Sequence, residues 1–91
     1  MAVDRIRVSP LVKASTTADG LVLLDVRGGL VLASNVVGAR IWQLIEAERG
    51  TSEIASCIAA EFGVDRDRAA GDVAAFVDAL RARGVVEANP C

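Results

Sequence analysis

The strongest constraint on the fold is a pair of short apolar runs separated by a glycine-containing turn. The runs are residues 21–26 (LVLLDV) and 30–33 (LVLA), and Arg27, Gly28 and Gly29 lie between them. Each run is shorter than a typical helix, and a connection of this length with glycines is typical of a tight β-hairpin. The sequence therefore predicts two antiparallel strands.

The segment before this hairpin is also strand-like. Residues 5–16 (RIRVSPLVKAST) carry β-branched side chains but are interrupted by Pro10, which has no N–H for a sheet. A proline at this place predicts two short strands or one edge strand. Residues 17–20 form a predicted turn, so the first part of the chain is expected to be a three-stranded antiparallel meander.

After Asn35 the apolar residues recur at helical spacing. Three helices are predicted, over about residues 36–48, 51–62 and 65–83, and a short extended piece over 85–87. The residues expected to cap them are Ser34 or Asn35, Thr51 and Asp65. Trp42 is predicted to lie in the core or at a helix interface. Three strands followed by three helices predict one α+β domain over 1–91, winged-helix-like, with its core over about 11–86.

Two features suggest a binding surface. Neither apolar run alternates with polar residues, so both sheet faces are expected to need cover, and the second run has no lysine or proline to protect an open edge. Such an edge invites an added strand; the alternative is cover by a dimer mate or the N-terminal segment. The third helix is small-sided around Gly71, which a close helix contact explains as well as ligand space does.

The sequence offers little for catalysis. It contains no histidine, the commonest general base and metal ligand. Cys57 lies in a helical pattern, where it is expected to be a structural thiol. The aspartates of the third helix are interspersed with arginines and lack the spacing of a calcium loop. We therefore predict no catalytic residue, no metal, no cofactor and no enzymatic activity.

Charge and hydropathy limit the partners and the compartment. Ten basic and twelve acidic residues give a net charge of -2, and no apolar stretch is long enough to span a bilayer. Residues 65–83 hold four Asp and four Arg, which does not favour a helix that reads DNA. No signal peptide is recognisable, and Cys57 and Cys91 form no CxxC motif. We expect a cytoplasmic protein without nucleic-acid or membrane partners.

The chain resembles the PqqD-like family, also called RiPP recognition elements, over roughly residues 11–86. The resemblance is carried by the hairpin LVLLDVRGGLVLASN, the helix VVGARIWQLI, and the segment GTSEIASCIAAEFGVDRDRAAGDVAAFVDALRARGVV. Family members bind the leader segment of a ribosomally made precursor peptide. The resemblance implies that the leader adds as a strand to the third strand and lies against the third helix.

Transferred to this sequence, the resemblance implies one set of peptide-binding residues: Leu30, Val31, Leu32, Ala33, Ala69, Val73, Phe76 and Val77. It also implies two partners, a precursor peptide and a leader peptidase or other maturation enzyme. A small leader-binding protein of a lasso-peptide pathway is the favoured interpretation. A peptide chaperone for a radical SAM enzyme in pyrroloquinoline quinone synthesis is the main alternative. A winged-helix DNA-binding regulator and a dimerisation module rank below, and the oligomeric state stays open.

Overall fold

The computed structural model describes residues 5–27 and 29–89 and has the predicted α+β architecture of an antiparallel meander followed by three helices. The elements are β1 (Arg5–Val8), β2 (Val12–Thr17), β3 (Gly20–Asp25), β4 (Gly29–Ser34), α1 (Val36–Glu46), α2 (Thr51–Phe62), α3 (Arg66–Ala82) and β5 (Val86–Asn89). Gly28 of the predicted hairpin turn and Cys91 lie outside the described residues.

The meander is the main sheet, with strand order β2-β3-β4 and antiparallel neighbours. In its register Leu23 is opposite Leu32, whereas Leu24 is opposite Leu30. The shift between these two pairs leaves Val31 without a Cα partner in β3, which is the pattern of a β-bulge. One edge of β4 pairs with β3, and its other edge has no strand beside it in the described ranges.

The N-terminal segment divides at Pro10 into β1 and β2, as one of the two sequence-based alternatives has it. β1 does not join the meander but pairs antiparallel with β5 in a second, two-stranded sheet. The Ser9 N–H donates a hydrogen bond to the Val85 carbonyl at 2.8 Å, which extends this contact. Residues 5–8 of the N-terminal segment therefore pair with β5 and not with the meander, whose cover by this segment was one of the expectations.

The helices cover only one face of the meander. Leu21 and Leu23 are buried beneath them, while Val22 and Leu24 on the opposite face remain 38% and 42% exposed. Within the described residues the second face therefore lacks the cover that its apolar sequence was expected to need. Side chains alternate between the two faces of a strand, so an unbroken apolar sequence still exposes every second residue when one face is uncovered.

The helix starts agree with two of the three predicted caps. Asn35 rather than Ser34 caps α1, since its Oδ1 accepts a hydrogen bond from the Gly38 N–H at 3.0 Å. Asp65 caps α3 through the Asp67 N–H at 3.1 Å. Thr51 was the wrong cap for α2: Gly50 occupies that place with an extended backbone, and Thr51 is the first helical residue.

The core forms where the three helices meet the meander. Trp42 is 1% exposed, which confirms its predicted core position, although its indole N–H has no hydrogen-bond partner among the described residues. On the surface, the Arg40 guanidinium makes two hydrogen bonds to the Glu61 carboxylate, at 2.8 and 2.9 Å, and joins α1 to α2. These bonds hold the pKa of Glu61 below its ordinary value.

The cap of α1 can be tested by substitution. Asn35→Ala removes the acceptor for the Gly38 N–H and should lower the free energy of unfolding by about 0.5–2 kcal/mol. Asn35→Asp keeps an equally good cap and is expected to stay within about 0.5 kcal/mol of the wild type. Chemical denaturation followed by circular dichroism measures both; equal stability of the alanine and aspartate variants would contradict the assignment.

Candidate functional site

Two cavities lie on opposite sides of α3. The edge cavity has a volume of about 350 Å³ and is lined by Ser34, Asn35, Val37, Gly38, Ile41, Arg68, Asp72, Ala75 and Phe76. The rear cavity, between α2 and α3, has a volume of about 380 Å³ and is lined by Thr51, Ser52, Ala55, Arg66, Ala70, Val73, Ala74, Val77, Asp78 and Arg81. Similar volumes mean that size does not identify the functional site.

The polar surroundings distinguish the two cavities. In the rear cavity the Arg66 guanidinium donates to Ser56 Oγ at 2.8 Å and to Ser52 Oγ at 3.0 Å, so it joins α2 to α3 across that side. The edge cavity instead begins where β4 ends, at Ser34, and is continuous with the strand that has an open edge. An extended segment placed beside β4 would reach the edge cavity, which is therefore the candidate site.

The edge cavity exists in this shape because α1 carries a glycine where it passes α3. A Cβ atom on the buried Gly38 would overlap the Ser34 side chain and lie 3.1 Å from Cε1 of Phe76. Glycine thus allows the Phe76 ring and the end of β4 to approach α1 closely. The half-buried ring and the Gly38 backbone together form an apolar wall of the cavity.

The predicted strand residues all lie on β4, the edge strand. Leu30 is 67% exposed and Ala33 is also exposed, while Val31 and Leu32 are half-buried against the core. The backbone of this strand is available for pairing along its open edge. Whether these four residues bind a peptide stays a prediction, and their position beside the edge cavity is compatible with it.

Three of the four predicted helix residues do not line the edge cavity. Ala69, Val73 and Val77 are 0%, 1% and 4% exposed and belong to the core, so they do not face an open groove beside β4. Phe76 alone of the four lines the edge cavity. The apolar stripe of an amphipathic helix identifies its core face, and the neighbouring stripe lines the edge cavity here.

That neighbouring stripe was missed because its residues are polar or small. Arg68, Asp72 and Ala75 line the edge cavity together with Phe76, at the i, i+4 and i+7 positions of one helix face. Arg68 and Asp72 are 4.0 Å apart, at the limit of an ion pair. A search for exposed residues at helical spacing that flank a single aromatic residue would have found this face.

A second polar contact connects α3 to β4. Nε of Arg83, the residue that follows the last residue of α3, donates to the carbonyl oxygen of Val31 at 3.1 Å. Val31 is the bulge residue without a Cα partner in β3, so this side chain donates to a carbonyl at the irregular point of the meander. The guanidinium lies toward the hairpin end of β4, and the edge cavity lies at its other end.

The site has the chemistry of binding. Its lining is mainly apolar and hydroxyl or amide side chains, with one arginine and one aspartate. Among the described residues, no group of three or more cysteine, aspartate or glutamate side chains is placed to hold a metal ion.

No helix within these ranges is both long and apolar enough to cross a membrane. Cys57 is half-buried and unpaired, away from the cavity lining.

The comparisons with known proteins agree with the fold. Residues 20–86 match the family described as "Coenzyme PQQ synthesis protein D (PqqD)". A structure described as "TbiB1 in Complex with the TbiA(beta) Leader Peptide" is 33% identical with a TM-score of 0.79, covering 89% of this chain and 94% of that chain. "Lasso peptide synthetase B1 complexed with the leader peptide" is 28% identical with a TM-score of 0.76, over 90% and 96%. No curated protein matches.

The role of Gly38 is tested against a second helical glycine. Gly71 is exposed and a Cβ there would meet nothing within 4 Å, which excludes the close helix contact considered for it. Gly71→Ala should therefore raise the free energy of unfolding by about 0.5–1 kcal/mol. Gly38→Ala should lower the free energy of unfolding by about 1–3 kcal/mol through overpacking. This loss should cancel or exceed the gain that alanine brings over glycine in a helix.

Thermal and chemical unfolding of both variants measures the difference. Equal stabilisation by the two alanines would show that Ser34 and Phe76 do not depend on a glycine at position 38.

Proposed function

Since this chain belongs to the PqqD family, we propose that it binds the leader segment of a precursor peptide in a lasso-peptide pathway. The observation that carries the proposal is the open edge of β4 running into the edge cavity. Two structures that align with about nine tenths of this chain are complexes with leader peptides, which supports the same role here.

In the proposed binding mode the leader adds as a strand to β4. Main-chain hydrogen bonds to the open edge supply affinity that does not depend on side chains, and a pocket for an alternate side chain supplies selectivity. At the Ser34 end of β4, one apolar leader side chain enters the edge cavity between Gly38 and Phe76. The anchor buries apolar surface, and only Arg68 and Asp72 among the lining residues carry charge.

The proposed contribution to the pathway is delivery rather than chemistry. The whole sequence has no histidine, and the edge cavity holds no cysteine beside a base. A protein that binds the leader and a separate leader peptidase raises the effective concentration of the precursor at that peptidase. The chain then accelerates cleavage without forming or breaking a bond itself.

A second candidate function is a peptide chaperone for a radical SAM enzyme, which the family description favours. The two candidates share the binding step and differ only in the enzyme that receives the peptide. A precursor gene next to a transglutaminase-like peptidase gene and an asparagine-synthetase-like cyclase gene indicates the lasso pathway. A neighbouring radical SAM gene indicates the alternative.

Two matched alanines on α3 test the binding site. Ala75 lines the edge cavity and Ala74 lines the rear cavity, and both are exposed. Ala75→Trp should fill the edge cavity and weaken leader binding at least about tenfold, which corresponds to about 1.4 kcal/mol. Ala74→Trp should leave the affinity within about threefold of the wild type. Fluorescence anisotropy with the labelled leader of the precursor encoded beside this gene measures both.

If Ala74→Trp weakened leader binding and Ala75→Trp did not, the result would place the peptide in the rear cavity. A fall in affinity of about 10³ between low and high salt would point to a nucleic-acid site instead, since phosphate contacts release counterions. Circular dichroism of both tryptophan variants verifies that they are folded. The buried Val73 is unsuitable for this test, because a charged substitution there would disrupt the core.

The proposed role in delivering the precursor can be tested separately. The purified chain should leave the mass of the precursor unchanged, whereas adding it to the leader peptidase should increase the cleavage rate at precursor concentrations below saturation. Ala75→Trp should abolish this acceleration, and Ala74→Trp should retain it. Mass spectrometry over time measures both reactions. A mass change with this chain alone would contradict the non-catalytic role.

A further inference from the structure

The side chain of Arg83 contacts the backbone of β4, the strand to which a leader would add. The Arg83 Nε donates to the Val31 carbonyl at 3.1 Å across 52 residues of sequence, from the end of α3 to the middle of β4. Because Val31 lies in the bulge, β3 offers it no Cα partner. A bulge and a positive side chain are two devices that protect an edge strand from unwanted pairing.

Arg83, which follows α3, differs from the described arginines within α3 in its hydrogen-bond and ion-pair partners. Arg68 lies within 4.0 Å of Asp72, and Arg81 within 3.3 Å of Asp78. Arg66 is held by serine hydroxyls and a carbonyl of α2. Among the side chains that the structure describes, none supplies Arg83 with a carboxylate, and its Nε–H donates to a neutral backbone oxygen.

We propose that Arg83 is a specificity-determining residue of the leader site, with two alternating partners. In the free protein it covers the Val31 carbonyl; when a leader strand pairs with β4, its guanidinium turns to an acidic side chain of the leader. This inference rests on the proposed function and adds a requirement for the sequence of the peptide.

The requirement for an acid follows from what strand addition does to the guanidinium. A backbone N–H of the added strand takes over the acceptor at Val31, so Arg83 must find another partner or lose its hydrogen bond. A carboxylate matches the planar guanidinium with two parallel hydrogen bonds, which are shorter and stronger than a bond to a neutral carbonyl. A leader without an acid would have to displace Arg83 without compensation.

The positions on β4 also set the spacing within the leader. Val31 lies three residues before Ser34, which lines the edge cavity. At about 3.3 Å per residue of strand, the two places are about 10 Å apart. The acidic residue of the leader should therefore lie about three residues from the apolar residue that enters the edge cavity.

A peptide display library tests the inference without a known leader. Random 12-residue peptides are selected on the wild type, on Arg83→Glu and on Arg81→Glu, the last being a matched control whose native ion pair faces the rear cavity. Wild-type and Arg81→Glu selections should enrich Asp or Glu about three positions from an apolar anchor. The Arg83→Glu selection should enrich Lys or Arg at that same position.

A double-mutant cycle gives the magnitude. Replacing the selected acid by its amide should weaken binding to the wild type about tenfold, and should change binding to Arg83→Met less than about twofold. Enriched peptides with no acid, or an unchanged preference on Arg83→Glu, would overturn the role of Arg83 and leave the edge site intact. Peptides whose binding does not respond to Ala75→Trp, or no enrichment on the wild type, would overturn the leader site and this inference with it.

Discussion

The hydrogen bond from the Gly38 N–H to the Asn35 side chain joins the sheet to the helices. It begins α1 immediately after β4 ends, so the direction of the edge strand and the start of the helical layer are set at one residue. Gly38 then brings α1 close to Ser34 and Phe76, which shapes the edge cavity. The cap, the close approach and the cavity are therefore parts of one local arrangement.

The two faces of α3 have different contacts because this helix lies at the side of the sheet. One face of α3 packs Ala69, Val73 and Val77 into the core, which keeps the helix in register with the strands. The adjoining face borders the cavity at the end of β4, and beyond its last turn Arg83 reaches the edge strand. A helix packed beside an open strand edge is suited to hold an extended peptide, because the backbones of both elements are formed before binding and only side chains such as Arg83 have to move.

The same arrangement is consistent with the proposal that this protein binds a peptide and leaves the chemistry to another protein. Its polar side chains near the site are engaged in a helix cap, a surface ion pair at the 4.0 Å limit and the contact with Val31. Such groups orient a peptide but supply neither a base nor a nucleophile. In the proposed role the protein contributes to a pathway by presenting a peptide, and we expect its specificity to depend on the few residues along the strand edge.

The sequence by itself determined the elements, their order and the class of fold. Apolar runs too short for helices predict the hairpin, and capping residues with helical spacing predict the three helices, because both signals are local in the chain. The edge strand and Phe76 could be predicted from the sequence for the same reason. Local signals did not reveal the pairing of β1 with β5, the exposure of Val22 and Leu24, or the contact of Arg83 with Val31. Those depend on which face of the meander the helices cover and on residues far apart in sequence meeting in space, and only the tertiary structure decides both.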